Sequence, residues 1–166
     1  MASTIESDFG SSGQPLTITL NNLAASNVAG GTYTGRQSTA VDNTTNLFLD
    51  ALVSVQVKTQ SSVVAPSFVL IYAYGTADGG LTWSDTVTGA DGSVSLISPP
   101  NAPLLCTLAT PAVSTVYDSG PLSVASAFGG VLPQKWGVVV INSTGSNLDT
   151  TTGGAAVYQG VYAQRT

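Results

Sequence analysis

The stretch from Phe128 to Asn142, FGGVLPQKWGVVVIN, constrains the fold of this chain more than any other segment. Its apolar run from Trp136 to Ile141 is far shorter than the about 20 apolar residues that a membrane-spanning helix needs. The β-branched residues Val138 to Ile141 favour a strand over a buried helix. Because apolar side chains point to both faces, we expect this strand to be covered on both sides or to lie at an interface.

Short strand patterns bounded by turn formers fill the rest of the chain. In chain order the predicted strands are 15–20, 32–41, 51–58, 67–75, a return segment from 81, 93–97, 104–110, 113–117, 122–125, 136–141 and 155–163. Gly35 inside the second of these predicts a bulge. No amphipathic helix of three turns is evident, and connectors of uneven length favour strands that cross between two sheets. The sequence therefore predicts an all-β fold, a β-sandwich of the jelly-roll type.

The chain length of 166 residues suits a single domain. We place that domain at residues 15–166 and a flexible N-terminal arm at residues 1–14, where Ile5 and Phe9 are isolated apolar residues among small polar ones. The arm is either a frayed terminus or a segment whose Phe9 docks on a neighbouring chain. The N-terminus has neither the positive region nor the apolar region of a signal peptide, so we expect synthesis in the cytoplasm.

Charge is scarce in this sequence. Charged residues make up 8% of the chain, against a usual level of about 25%, while hydrophobic residues make up 43%. The net charge is -5, with Arg36, Lys58, Lys135 and Arg165 as the cations. Binding to nucleic acid or to an anionic membrane needs clustered Lys and Arg, so we expect neither partner. A surface of hydroxyl and amide groups tolerates close contact with protein, which suits a subunit of an assembly.

The residues that usually carry chemistry are missing or isolated. The sequence has no histidine, and Cys106 is its one cysteine, which we interpret as a small buried hydrophobe in an apolar strand. A calcium site built from Asp78, Asp85 and Asp91 is an alternative, although their spacing matches no EF-hand loop. Aspartates beside Gly, Ser and Thr are typical of turns. We therefore expect no catalytic residue, no metal and no cofactor.

The two tryptophans receive different interpretations. Trp136, within its apolar run, is expected in the core. Trp83 lies near a predicted hairpin turn, where we expect it to be exposed. Together with Tyr74 it would contact a glycan if the chain were a receptor- or glycan-binding module of a phage head or tail fibre, which is the alternative function.

Several segments resemble a family of small virion proteins of tailed bacteriophages. They are TGRQSTAVDNTTNLFLDALV (Thr34 to Val53), VYDSGPLSVASAFGGVLPQKWGVVVIN (Val116 to Asn142) and YQGVYAQ (Tyr158 to Gln164). In that family the pattern is an Arg-Gln-Ser-Thr segment, a Gly-Gly-Val-Leu-Pro-x-Lys-Trp-Gly core and a Val-Tyr-Ala-Gln ending. The resemblance extends from about Pro15 to Gln164.

The resemblance implies a head decoration, or cement, protein on the outer surface of the phage capsid. Its expected partners are the major capsid protein and further copies of the chain, with a trimer favoured. Ile5, Phe9 and Arg36 are the expected partner contacts. No catalytic residue carries over, because the shared motifs concern the fold and not chemistry.

Overall fold

The computed structural model describes residues 5–10 and 13–165, with side chains for residue 10 and residues 13–163. Within these residues almost all regular structure is β. The elements are β1 (Ile5–Phe9), β2 (Gln14–Leu16), β3 (Tyr33–Gln37), β4 (Val41–Asp42), β5 (Asp50–Lys58), β6 (Phe68–Thr76), β7 (Gly92–Leu96), β8 (Leu104–Ala109), β9 (Val116–Asp118), β10 (Leu122–Ser123), the helical turn α1 (Val124–Ala127), β11 (Lys135–Ser143) and β12 (Gly154–Arg165). One 3-10 turn, Val28–Gly30, lies between β2 and β3.

Two antiparallel sheets pack face to face. The first sheet has the order β1-β12-β5-β10, with β2 also pairing with β12 and β9 with β5. The second has the order β7-β3-β11-β6-β8, with β4 also pairing with β11. The predicted all-β sandwich is therefore confirmed. Its assignment to the jelly-roll type stays a prediction.

The pair β6 and β11 forms the middle of the second sheet, in register from Lys135 opposite Thr76 to Ser143 opposite Phe68. Both faces of β11 are buried, as the apolar run predicted. Trp136, Val138 and Val140 face the first sheet and belong to the inter-sheet core. The indole of Trp136 meets the ring of Tyr158 on β12 edge to face, with centroids 5.3 Å apart, and so links the two sheets.

A second apolar cluster covers the outer face of the second sheet. Leu70, Tyr72 and Tyr74 of β6 join Val139 and Ile141 of β11 on this side. Tyr33 of β3 and Val94 and Leu96 of β7 extend this cluster along the same sheet. The cover over this face comes from residues outside the strands, which are Val28, Ala40, Trp83, Val87 and Ala102. The second sheet is thus buried on both faces, which explains why β6 and β11 are apolar on both faces along most of their length.

Gly35 does not produce the predicted bulge. The register of β3 against β7 runs without interruption from Tyr33 opposite Leu96 to Gln37 opposite Gly92. Instead, a Cβ at Gly35 would lie 2.3 Å from the carbonyl oxygen of Val140 on β11. The glycine is required because another backbone approaches closely, which is the other common reason for glycine inside a strand.

Three further segments differ from their predictions. The return strand from Leu81 does not form, and residues 77–91 have no strand. In 15–20 only Pro15 and Leu16 belong to a strand, although Leu20 is buried as the alternation required. Residues 5–9, placed by sequence in the arm, form β1 along the end of β12, with Phe9 opposite Val161.

Replacing Gly35 by alanine tests the close approach of β3 to β11. Alanine in a strand gains up to about 1 kcal/mol over glycine from chain entropy. Forcing a methyl group against a backbone oxygen costs about 1–3 kcal/mol or more. We expect Gly35→Ala to lower the free energy of unfolding by about 2 kcal/mol, measured by urea denaturation.

Gly13→Ala is the matched control for this measurement. Its new Cβ would meet Val157 at an ordinary 3.6 Å. We expect its free energy of unfolding to stay within about 0.5 kcal/mol of the unchanged protein. Equal effects of the two substitutions would contradict the steric explanation of Gly35.

Candidate interaction surface

Every charged side chain that the structure describes has a partner within the chain. The three cations form ion pairs with aspartates: Arg36 with Asp91 at 2.6 Å, Lys58 with Asp149 at 3.3 Å, and Lys135 with Asp42 at 3.6 Å. The remaining aspartates accept hydrogen bonds from hydroxyl, amide or backbone groups, and they are Asp50, Asp78, Asp85 and Asp118. Each charged side chain of residues 13–163 is therefore held by an ion pair or a hydrogen bond within the chain.

Asp78 holds the loop that replaces the expected return strand. Its carboxylate accepts hydrogen bonds from the backbone N–H groups of Gly80, Leu81 and Thr82 and from the hydroxyls of Thr76 and Thr82. These donors hold the pKa of Asp78 well below its usual range, the Thr76 hydroxyl contributing most. The carboxylate thus satisfies backbone groups that a hairpin ladder would otherwise pair, and residues 80–82 are fixed in a turn.

Arg36, an expected partner contact, lies in an internal ion pair. Its Nε donates to Asp91 Oδ1, and the same carboxylate accepts from the Thr19 backbone N–H and the Thr19 hydroxyl. The Arg36 hydrogen bond is the main reason that the pKa of Asp91 falls to about 2, and the Thr19 donors lower it further. Asp91 therefore ties the segment after β2 to β3, and the guanidinium of Arg36 is already engaged.

Tyr74 and Trp83, the glycan contacts of the alternative function, face the interior. Tyr74 is fully buried, its ring lies over Gly137, and its hydroxyl donates to the Ser38 carbonyl at 2.6 Å. Burial raises the pKa of Tyr74 to about 12, so the phenol stays neutral. Trp83 meets this ring edge to face at 5.4 Å and is half-buried in the second cluster. Both side chains pack, which corrects the exposure expected of Trp83.

The other predicted residues are placed as follows. The backbone of Ile5 and Phe9 lies in β1, while their side chains fall outside the described part of the structure. Cys106 is half-buried and packs against the inter-sheet core. Asp78, Asp85 and Asp91 bind separate groups, and among the described residues no three His, Cys, Asp or Glu side chains are grouped to hold a metal.

Within residues 5–10 and 13–165, no helix is long and apolar enough to cross a membrane.

Four exposed large apolar side chains, including the three most exposed, share one end of the sandwich, whereas Val64, which is 59% exposed, lies in the loop before β6. Leu81 is 86% exposed, Val131 71%, Leu47 70% and Leu49 55%. They lie in the loops 77–91, 128–134 and 43–49, which meet where Lys135 pairs with Thr76 of β6 and with Asp42 of β4. We call these four residues the apolar end. Exposed apolar residues concentrated in one region are typical of protein–protein contact sites.

The loop that carries Leu47 is closed by the side chain of Asn43. Asn43 Nδ2 donates to the Phe48 carbonyl at 3.0 Å, and the Phe48 N–H donates to Asn43 Oδ1 at 2.8 Å. The backbone N–H of Asn43 donates to the Gln134 carbonyl, which joins this loop to the neighbouring one. Phe48 turns inward over Gly160, where any Cβ would come within 2.5 Å of its ring. Leu47 consequently turns outward from a fixed loop.

The backbone of Leu47 is in the left-handed region, with φ at 53°. Asn22, Asp85 and Ser114 are the other non-glycine residues of the described chain with positive φ, and all three are small and polar. A leucine in this conformation costs roughly 1–2 kcal/mol because its Cβ crowds the following carbonyl group. Since the side chain is mostly exposed, packing inside the chain does not offset that cost.

Val131 follows the pair Gly129 and Gly130, whose φ values are 75° and 93°. The N–H of Gly130 donates to the Ala125 carbonyl and so closes the end of α1. Asp50 fixes the start of α1 by accepting hydrogen bonds from the Ser123 hydroxyl and the Ala125 N–H.

Between the loop 43–49 and the loop 128–134 lies a cleft of about 380 Å³. The cleft is lined by uncharged residues, Asn43, Thr44, Leu47, Phe48, Leu132 and Gln134.

Sequence reasoning missed the apolar end. Leu47 and Leu49 belong to the run LFLDALV, which predicted a helical turn followed by a strand, and Val131 belongs to the apolar stretch after Gly130. The sequence pattern does not predict exposure for any of these residues. The turn formers 42–46 signalled a loop, but nothing in the pattern indicated that Leu47 would point away from it.

Comparison of the chain with protein-family models, with curated proteins and with solved structures gives no match.

The Asp91 ion pair predicts a pH dependence of stability. An unfolded aspartate has a pKa of about 3.9, and the pKa of Asp91 in the folded chain is about 2. The folded state therefore binds fewer protons than the unfolded state, and the stabilisation is complete above about pH 4 and is lost as pH falls to about 2. We expect Asp91→Asn to lower the thermal midpoint at pH 7 and to have a clearly smaller effect near pH 2, where Asp91 is partly protonated in the folded state.

Arg36→Gln is the partner variant for this test, because it removes the strongest cause of the lowered pKa. Thermal unfolding followed between pH 2 and pH 7 should show a smaller loss of stability on acidification in both variants than in the unchanged protein. A wild-type pH profile in both variants would show that this ion pair does not contribute to acid sensitivity.

Proposed function

We propose that this chain is a structural virion protein, a capsid decoration protein that binds the outer surface of a phage head and stabilises it. The resemblance to small virion proteins of tailed phages suggests the class. Support from the geometry comes from the charges, which are all engaged internally in residues 13–163, and from the apolar end. Such a surface suits contact with protein better than recognition of an ionic ligand.

The conformation of Leu47 is the observation that carries the proposal. An exposed leucine at positive φ weakens the fold and gains no packing within the chain. Strained residues persist where the surrounding structure fixes them, and they concentrate at functional sites. Asn43 supplies that fixation here, by bonding both the N–H and the carbonyl of Phe48. We infer that Leu47 is retained for a contact with a partner.

The mechanism is association through many copies. Each copy would place its apolar end against the major capsid protein and contact further copies of itself, as expected for a homo-oligomer. Individual contacts can then be weak, because linked contacts multiply in effect. Rigid loops reduce the entropy lost on binding, and the cleft between them can receive an apolar side chain of the shell.

Two substitutions at the apolar end test this proposal. Leu47→Asn keeps a residue that tolerates positive φ, so we expect the free energy of unfolding to stay equal or to rise by up to about 1 kcal/mol. Val131→Asp adds a charge at an exposed position. Both should weaken binding to capsids that lack the protein at least about tenfold, a loss of about 1.4 kcal/mol, measured by co-sedimentation.

Val113→Asp is the matched control. Val113 is 48% exposed and lies in the loop between β8 and β9, at the opposite end of the sandwich. This variant should bind capsids as the unchanged protein does. Equal loss of binding in all three variants, or none in any, would contradict docking through the apolar end.

Copy number tests the class of protein. Mass spectrometry of purified particles should give a number of copies comparable to that of the major capsid subunit. A handful of copies per particle would point to a tail or a vertex and would contradict a role as a shell protein.

A further inference from the structure

The four sheet edges of this sandwich differ in how they are protected. Exposed edges normally carry charge, proline, short strands or a covering segment, because unpaired N–H and C=O groups attract other strands. At one edge β1 contains Glu6 and Asp8 and β2 contains Pro15. At the opposite edge of the same sheet β9 and β10 have three and two residues, and Gly120 and Pro121 separate them.

The edges of the second sheet are unlike each other. At β7 the segment before the strand lies against the edge, since the Thr86 hydroxyl donates to the Ser95 carbonyl at 2.5 Å. At the other edge β8 has the sequence LLCTLA, without charge or proline. Its one irregularity is a register shift opposite Ile71 and Tyr72, so residues 106–109 form a regular edge. No other described strand pairs with the outer side of β8.

The hydrogen-bond pattern shows which groups of β8 point outward. The N–H of Thr110 donates to the Ser67 carbonyl at 3.0 Å, and Leu108 and Cys106 lie opposite Val69 and Ile71. Antiparallel ladders alternate, so the N–H and C=O of alternate residues 110, 108 and 106 point toward β6. The N–H and C=O groups of Thr107 and Ala109 then point away from the sheet, and both residues are exposed.

We propose that β8 pairs with β8 of a second copy across a two-fold axis. Antiparallel pairing of Thr107 with Ala109 of the other copy would use the outward N–H and C=O groups of both residues. The same register places the two Leu108 side chains opposite each other, in a position where side chains approach closely. Self-pairing brings no like charges together here, whereas antiparallel pairing of β1 with itself would bring Glu6 close to Asp8.

The joint is isologous, because the same surface is used on both copies. It therefore connects copies in pairs, in addition to any threefold contact on a capsid lattice. The inference deepens the self-association that is part of the proposed function. It is measured on the isolated protein, whereas docking through the apolar end is measured on particles, so either can fail without the other.

Thr107→Arg tests the joint, because it places a charge at the centre of the edge while its backbone does not bond to β6. We expect the dimer dissociation constant, from sedimentation velocity up to about 1 mM protein, to rise at least tenfold. Gln56→Arg is the control, since Gln56 is an exposed residue of β5, which has strands on both sides. It should dimerise as the unchanged protein does. Equal thermal midpoints would show that both variants are folded.

Hydrogen exchange distinguishes strand pairing from other association. The amides of Thr107 and Ala109 should exchange more slowly as protein concentration rises, and this protection should disappear in Thr107→Arg. A protein that stays monomeric at all these concentrations would overturn the proposal. So would association in which these two amides remain unprotected, or protection that develops only when capsids are added, which would identify a capsid segment as the occupant of the edge.

Discussion

The structure depends on the burial of β11 between two apolar layers. Trp136, Val138 and Val140 belong to the inter-sheet core, and Val139 and Ile141 to the cluster on the other face. The backbone N–H and C=O groups of a strand buried on both faces must be hydrogen-bonded to neighbouring strands on both edges. β6 pairs with one edge of β11, and β3 and β4 pair with the other edge. The close approach of Gly35 to the Val140 carbonyl follows from the same arrangement.

The second apolar layer places limits on the rest of the chain. A segment of about 27 residues between β6 and β8 must cover a sheet face with little regular structure of its own. Aspartates make this feasible: Asp78 bonds three successive backbone N–H groups, and Asp91 joins Arg36 to Thr19. Asp78 and Asp91 are thus used to close loops. This accounts for a surface on which the described charges are engaged, and for the aromatic pair Tyr74 and Trp83 being internal.

Local patterns predicted the elements whose environment is uniform. β5, β6, β11 and β12 were found within a few residues, because their apolar runs and alternations record burial directly. The failures involve side-chain and backbone contacts that the strand and turn patterns do not record. The return strand predicted from Leu81 does not form, because backbone N–H groups of this segment donate to the Asp78 carboxylate. The role of Gly35 depends on β11, a strand about 100 residues later in the chain. The exposure of Leu47 could not be predicted, since it follows from Asn43 turning Phe48 inward.

The same loop-closing aspartates bear on association. A loop that is ordered before binding loses less conformational entropy when it docks than one that must be ordered on contact. Leu81 lies on the turn fixed by Asp78, and Leu47 on the loop closed by Asn43, so the apolar end is arranged before any partner arrives. The pKa of Asp78 lies well below its usual range because of those hydrogen bonds, so its carboxylate stays charged and the turn stays closed well into the acid range. The loop of Leu81 is thus fixed by an ionised group and the loop of Leu47 by a neutral amide, and both are closed from within the chain.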